Sequence, residues 1–382
     1  MIHSARFENY RGFKDFSLNN LERVNLLVGK NNSCKTSILE GLHFLHSGSW
    51  AVLSNQLNLR GWTRQEAKQN QWFQFFDIKG SLFNIYQQEK YFSISTKNSV
   101  DFAKVKFELG SPLTPDDLNG GTNSKGNFHA NDLILYNFLG TQQSEVLGLQ
   151  GLRAEFSSQK GVFNSPLIPL FNEKEVRMDT FNHLGQVFPD QKIAPNTHFI
   201  TASSTDSGRA VEGWSKIAFD SDQISRITGA LQLLEVGLEG IQLLQPSPVI
   251  PASFFIKLKG INTPFPLSAL GDGTRRLLYL MLAFAVAKDG LLFIDEIDSG
   301  IHYTMMEKMW STILQYAKEF NVQVFATTHS LDCVNGLASV CAESPDNHKE
   351  VTIQRIENTK NHSIHYSSEE IIEAAEYNEE MR

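Results

Sequence analysis

Two adjacent acids, a lysine–threonine pair and one histidine carry most of the chemistry legible in this 382-residue chain. The acids, Asp295 and Glu296, end the apolar run Leu291-Leu292-Phe293-Ile294. Four apolar residues followed by two carboxylates is the pattern of a buried strand that delivers acids at its C-terminal end. There Asp295 can hold Mg²⁺, directly or through water, and Glu296 can orient or activate an attacking water. The pair Lys35-Thr36 closes the segment Gly29-Lys30-Asn31-Asn32-Ser33-Cys34-Lys35-Thr36. Backbone N–H groups of such a loop can wrap phosphates, with Lys35 reaching the β- and γ-phosphates and the Thr36 hydroxyl on Mg²⁺. The segment 324–330, VFATTHS, ends in His329 and Ser330, so His329 can approach the same γ-phosphate from a neighbouring strand. Ser330 beside it is an N-cap for whatever helix follows.

These residues need particular elements to hold them. Residues 24–29, VNLLVG, are apolar except for Asn25 and read as a strand buried on both faces. Ile38, Leu39, Leu42 and Leu45 then recur at helical spacing, so Ser37 lies in the first turn of a helix behind the loop. Phe-, Ile- and Val-rich runs between 73 and 109, including SLFNIY at 81–86, suggest an antiparallel sheet. The last third alternates strands and helices, which implies a parallel sheet. Within it, Gly271-Asp272-Gly273 precedes a buried helix, and residues 368–382 read as an acidic terminal helix. The expected fold class is α/β. It has a mostly parallel core sheet, an antiparallel N-terminal sheet and an inserted helical or irregular lobe. The expected division is 1–109, 110–245 and 246–382.

Composition narrows the field. A formal charge of −8 argues against a protein coated in basic charge, although it leaves a local basic groove open. A hydrophobic content of 41% excludes general disorder. Three cysteines, Cys34, Cys333 and Cys341, show no metal-site spacing and fit a reducing cytoplasm. The longest apolar run, Leu277–Ala287, is too short to span a bilayer, so no membrane association is expected.

The order of loop, glycine-bearing turn before a helix, Asp-Glu strand and strand-His resembles the ABC-type ATPases of the RecF, SMC and OLD branch. The match rests on FENYRGFKDFSL and VNLLVGKNNSCKTSILEGL near the start, and on LLFIDEIDSGIH and VFATTHS later. The resemblance implies a P-loop ATPase head that binds ATP and Mg²⁺ and closes as a homodimer. Glu296 and His329 would be catalytic, and Arg11 would approach the nucleotide; the alternative for Arg11 is a surface arginine in a turn. Gly271, Asp272, Gly273 and Thr274 would be the signature that closes over the nucleotide of the partner protomer. Residues Ser299, Gly300, Ile301 and His302 would communicate across that dimer.

Two positions depart from the family pattern. Cys34 stands where the loop usually has its second glycine, either as a tolerated small residue or as one that weakens binding or makes it oxidation-sensitive. Asp272 stands where the signature has its first glycine, and its charge would need offsetting by Arg275 or Arg276. The stretch between the two halves carries no heptads, so no chromosome-scale tether is expected. The residues after His329 show no acidic nuclease constellation, so an effector (a nuclease or other toxin) is expected on a separate chain, as in prokaryotic anti-phage systems. Alternatives are a DNA-repair or DNA-end-binding ATPase, with nucleic acid as partner, and a nucleotide-gated scaffold with little hydrolysis.

Overall fold

The computed structural model describes residues 1–61, 63–68, 71–84, 90–112, 150–164, 168–170, 175–178, 196–202, 207–232, 234–245, 249, 251–343, 349–377 and 381. Val24–Val28 is buried along its whole length and lies inside a six-stranded sheet. Gln323–Thr327 and Val351–Arg355 flank it, both parallel. Beyond Gln323–Thr327 come Leu291–Ile294 and then Thr197–Ile200, again parallel. Ile364–Ser367 closes the other edge and runs antiparallel.

Parallel strands covered on both faces read as unbroken apolar runs. Their period-two alternation sorts side chains between two cores. Leu26, Leu292, Ile294 and Val324 join one core, and Leu27, Leu291, Phe293 and Phe325 join the other. Asn25 is tolerated in its fully buried strand because its amide is saturated. It accepts from the Glu22 N–H at 2.8 Å and donates to the carbonyls of Glu22 and Val324 at 2.7 and 3.1 Å.

The first core is filled by helices that include Ser207–Ile217, Asp272–Val286, Met306–Glu319 and Leu331–Glu343. The longest apolar run falls in Asp272–Val286 and is buried there. No helix among the described residues is long and apolar enough to cross a membrane. The second core lies between the parallel sheet, the helix Lys35–Ser47 and an antiparallel sheet. That sheet contains Ser4–Tyr10, Phe13–Leu18, Tyr91–Lys97 and Phe102–Pro112. The chain is therefore an α/β protein with the expected parallel core and antiparallel N-terminal sheet.

Three segments differ from their sequence reading. Residues 81–86, read as a strand, instead begin inside a short helix, Ile78–Leu82; Asp77 starts it by accepting the Gly80 N–H at 2.7 Å. Residues 85–89 lie outside the described residues. The span 110–245 contributes to both large sheets: Gln150–Ser158 extends the antiparallel one, and Thr197–Ile200 the parallel one. The glycine- and asparagine-rich loop expected after residue 110 falls mostly on 113–149, outside the described residues. The terminal helix is Ser368–Glu376, opened by a reciprocal Ser367/Glu370 capping box.

Candidate functional site

In an open parallel sheet, ligands bind beyond the C-terminal ends of the strands. Three neighbouring strands bring the candidate residues to that edge. Val28 runs into Gly29, and the loop that follows holds Asn32 and Cys34 in left-handed backbone, at φ 63° and 65°. Left-handed residues in such a turn let successive N–H groups converge on an anion. The 13-residue helix Lys35–Ser47 begins directly behind the loop and adds its dipole.

Lys35 is 4% exposed. Its ammonium donates to the carbonyls of Gly29 and Lys30, at 2.7 and 3.0 Å, and to the Ser33 hydroxyl at 3.2 Å. The loop is thus wrapped around its own cation. Burial pushes the Lys35 pKa down to about 8, opposed by Asp295, Cys34 and Glu296.

Thr36 donates its hydroxyl to Asp295 Oδ1 at 2.9 Å, and Thr327 donates to the same oxygen at 2.7 Å. Thr327 also accepts the Glu296 N–H, at 2.9 Å. One hydroxyl therefore ties both acids to the next strand. Thr36 and Asp295 form an adjacent pair of hard oxygen donors. Such a pair fits Mg²⁺, which takes one or two protein oxygens and completes its shell with water and phosphate.

Glu296 is exposed and left-handed, at φ 48°. Non-glycine residues in that region are uncommon and cluster at functional sites. His329 is also exposed, two residues beyond the strand Gln323–Thr327. Its pKa is lowered by partial burial and by Lys35, against Glu296, Asp298 and Asp295, so the neutral imidazole dominates at pH 7. Ser330 accepts the Cys333 N–H at 3.2 Å and so caps the following helix.

The Cys34 thiol is raised above its ordinary pKa by burial, outweighing the Gly12 backbone and the nearby Arg11, Arg60 and Lys35 cations. That is the opposite of an activated thiolate. Its sulfur occupies the place a side chain at residue 12 would need: a Cβ on Gly12 would lie 2.5 Å from it. Arg11 is not a surface residue. It is 7% exposed and pairs with Glu40 on the helix behind the loop. Its Nε donates to the Ser81 carbonyl at 3.1 Å. Arg60 holds the same Glu40 at 3.0 Å.

The Gly271–Thr274 turn is wired differently. Gly271 and Asp272 are exposed, and Arg275 pairs with Asp272 at 2.9 Å. Of the two arginines that could offset Asp272, Arg275 does so. Gly273 lies against the loop after the acids, and a Cβ there would come within 2.8 Å of the Gly300 carbonyl oxygen. Arg276 turns inward to main-chain carbonyls of Thr201, Asp295 and Glu296. None of the hydrogen bonds made by residues 29–37 reaches the Gly271–Thr274 turn. Beyond Gly300, Ile301 is nearly buried, and His302 Nδ1 is 3.0 Å from the Thr304 hydroxyl. Three partners escaped the sequence reading: Thr327, Glu40 and the carbonyl-binding role of Arg276.

Fold and site together define a P-loop ATPase. Comparison with known proteins adds the family. Residues 1–160 match the family described as "AAA ATPase domain". Residues 186–334 match that described as "AAA domain, putative AbiEii toxin, Type IV TA system". An "ATP/GTP phosphatase" of Helicobacter pylori is 23% identical over 372 residues, covering 91% of this chain and 90% of that protein. A "DNA replication and repair protein RecF" of Chlorobium phaeovibrioides is 46% identical over 43 residues, which is 11% of this chain and 12% of that protein. Among solved structures, an SMC head bound to the C-terminal winged-helix domain of ScpA aligns over 96% of this chain and 98% of its own. It does so at 13% identity and a TM-score of 0.49. Both matched stretches, 1–160 and 186–334, are thus similar to AAA-type ATPase domains.

Proposed function

We propose that this ATPase closes as a homodimer around two Mg-ATP molecules and uses their hydrolysis to regulate a separate effector. The observation that carries the reading is the Thr36–Asp295 contact at 2.9 Å. It joins residues distant in sequence into one oxygen pair beside a buried lysine, with Glu296 exposed next to it. In this reading residues 29–37 bind the phosphates and Lys35 turns from its own loop to the β- and γ-phosphates. Thr36 and Asp295 hold Mg²⁺, which when bound neutralises phosphate charge. Glu296 takes a proton from the attacking water, and neutral His329 positions that water or the γ-phosphate. Arg11 acts from behind, by fixing the loop helix through Glu40.

The dimer is supported by the outward-facing Gly271–Thr274 turn, which makes no hydrogen bond with its own phosphate loop. A second protomer would supply the nucleotide that this turn meets. An effector in anti-phage defence is supported by the toxin–antitoxin description of the family matched at 186–334. The part of 110–245 outside the two large sheets is the surface proposed for that partner, and the cytoplasm is the proposed place of action. The decisive experiment is Mg-dependent phosphate release by the purified chain, alongside its mass in solution with and without ATP. Turnover with an unchanged monomer mass removes the dimer; no turnover and no ATP binding removes the site. A second reading, DNA-end binding, draws on the local RecF match. It predicts an affinity for duplex DNA that falls steeply with salt.

A further inference from the structure

Arg276 is 6% exposed and is the fifth residue of the helix Asp272–Val286. A buried guanidinium usually meets a carboxylate, but the hydrogen bonds of Arg276 go to main-chain carbonyls. Nη1 donates to Thr201 at 2.6 Å, and Nη2 donates to Asp295 at 3.1 Å and Glu296 at 3.2 Å. Thr201 follows the strand Thr197–Ile200, and the two acids follow its neighbour Leu291–Ile294. One planar fork therefore spans the ends of two adjacent strands, a geometry a lysine ammonium cannot reproduce. Its Nε is buried without a hydrogen-bond partner. The side chain is thus committed to these carbonyls at a cost to its own satisfaction.

The same helix turn meets the acid-bearing segment at a second point, where Gly273 abuts the Gly300 carbonyl. Its outer side, Gly271 and Asp272, faces solvent. Between the two braces sits Glu296, in a left-handed backbone that a glutamate does not adopt unaided. An element that is exposed on one side and grips a strained catalytic backbone on the other is suited to transmission.

We propose that Arg276 is a positioning residue that couples engagement of the Gly271–Thr274 turn by a second protomer's nucleotide to the aim of Glu296 at the protomer's own nucleotide. The proposal rests on the ATP-bound dimer described above. A shift of the helix end on closure is carried by the guanidinium to the carbonyls of Asp295 and Glu296, and so to the carboxylate between water and γ-phosphate. Misplacement of a catalytic group by about 1 Å costs on the order of 100-fold in rate.

The test uses the full chain with Arg276→Lys and Arg276→Gln. Three quantities are measured: Mg-ATP affinity with a fluorescent ATP analogue, ATP-driven dimerisation in a Glu296→Gln background, and turnover against ATP concentration. Affinity and dimerisation should stay within about threefold of the parent, while kcat falls about 100-fold in Arg276→Gln and roughly 10-fold in Arg276→Lys. The cooperativity of turnover in ATP should disappear in both, which a loss of packing alone would not produce. A kcat within about threefold of the parent in both variants overturns the proposal. So does a parallel loss of affinity, dimerisation and turnover. If Arg276→Gln does not fold, Arg276→Lys decides by the same criteria. A parent chain that hydrolyses ATP without dimerising refutes the dimer reading, and the coupling with it, before any Arg276 variant is made.

Discussion

The helices Lys35–Ser47 and Asp272–Val286 both open behind a glycine-bearing turn, yet the two turns are wired in opposite ways. At the first, Lys35 is buried, its ammonium spends its donors on the loop itself, and Thr36 is tied to Asp295. At the second, the Asp272 side chain is 80% exposed, and it pairs with Arg275 one helical turn away. Such an exposed i,i+3 pair contributes little to stability. The first turn is finished within one chain. The second is finished only on its inner side, through Gly273 and Arg276, and its outer side faces solvent. Under the proposed function, two helix N-termini of similar sequence logic would have separate tasks: one would hold a ligand, and the other would respond to one.

The largest test of this contrast is Glu296→Gln, which removes a proton acceptor and leaves the phosphate loop intact. Phosphate release should fall by roughly 10² to 10⁴-fold while Mg-ATP affinity is kept. Normal turnover in that variant would take Glu296 out of the chemistry.

Lys35→Ala comes next. It removes the charge-assisted donor to the phosphates, and ATP affinity should drop about 10 to 100-fold. Asp272→Ala should leave the affinity of a single chain unchanged within about twofold. Equal losses from the two substitutions, measured by equilibrium titration, would erase the distinction between the turns.

The third test is pH. Lys35 has its pKa lowered to about 8 in the free protein, and phosphate charge favours its protonated form. Nucleotide binding should therefore take up a proton at alkaline pH. Affinity should be full below about pH 8 and fall as pH rises through it, by up to about tenfold per unit. The same shift makes the free fold gain stability as pH rises from about 8 toward the unfolded lysine value, because the unfolded chain binds the proton more tightly. Calorimetry in buffers of different ionisation heat checks the uptake; zero proton transfer at pH 8.5 would refute it.

The smallest effect is expected at Cys34→Gly. Glycine relieves a left-handed cysteine but loosens the unfolded chain and loses the sulfur's contact with Gly12, so stability should change by no more than ~1 kcal/mol. A large loss of ATP affinity at fixed stability would mean that the thiol itself acts on the nucleotide.

The site was legible where chemistry follows local order. VNLLV, the loop and the Lys35 helix lie in one stretch, and the burial of each could be read from apolar spacing. The acids were legible because four apolar residues precede them. What stayed hidden depends on pairing across the fold. Thr327 looks like an ordinary β-branched strand residue, and only the register beside Leu291–Ile294 gives it two acids to bridge. A hint existed, since two threonines at the end of an apolar strand are poor filling for a dry core. Arg276 looked interchangeable with Arg275 because spacing alone cannot say which of two adjacent helical arginines turns inward. Arg11 depended on Glu40 and Arg60, neither of which stood out in a helix read for its apolar face. At 81–86 a Phe/Ile-rich run outvoted Asp77, whose capping oxygen starts a helix there.

The strand that feeds the phosphate loop has neighbours from the far end of the chain, Gln323–Thr327 and Val351–Arg355. During synthesis, Val24–Val28 must wait for both to leave the ribosome before its backbone has a sheet to join. At about 5–20 residues per second that delay lasts roughly 15 to 65 seconds. Throughout it, an apolar strand edge is without its native partners, the condition under which nascent chains aggregate or recruit chaperones. The proposed nucleotide site can therefore form only after most of the polypeptide exists, which would bar a partly made chain from binding ATP in this way.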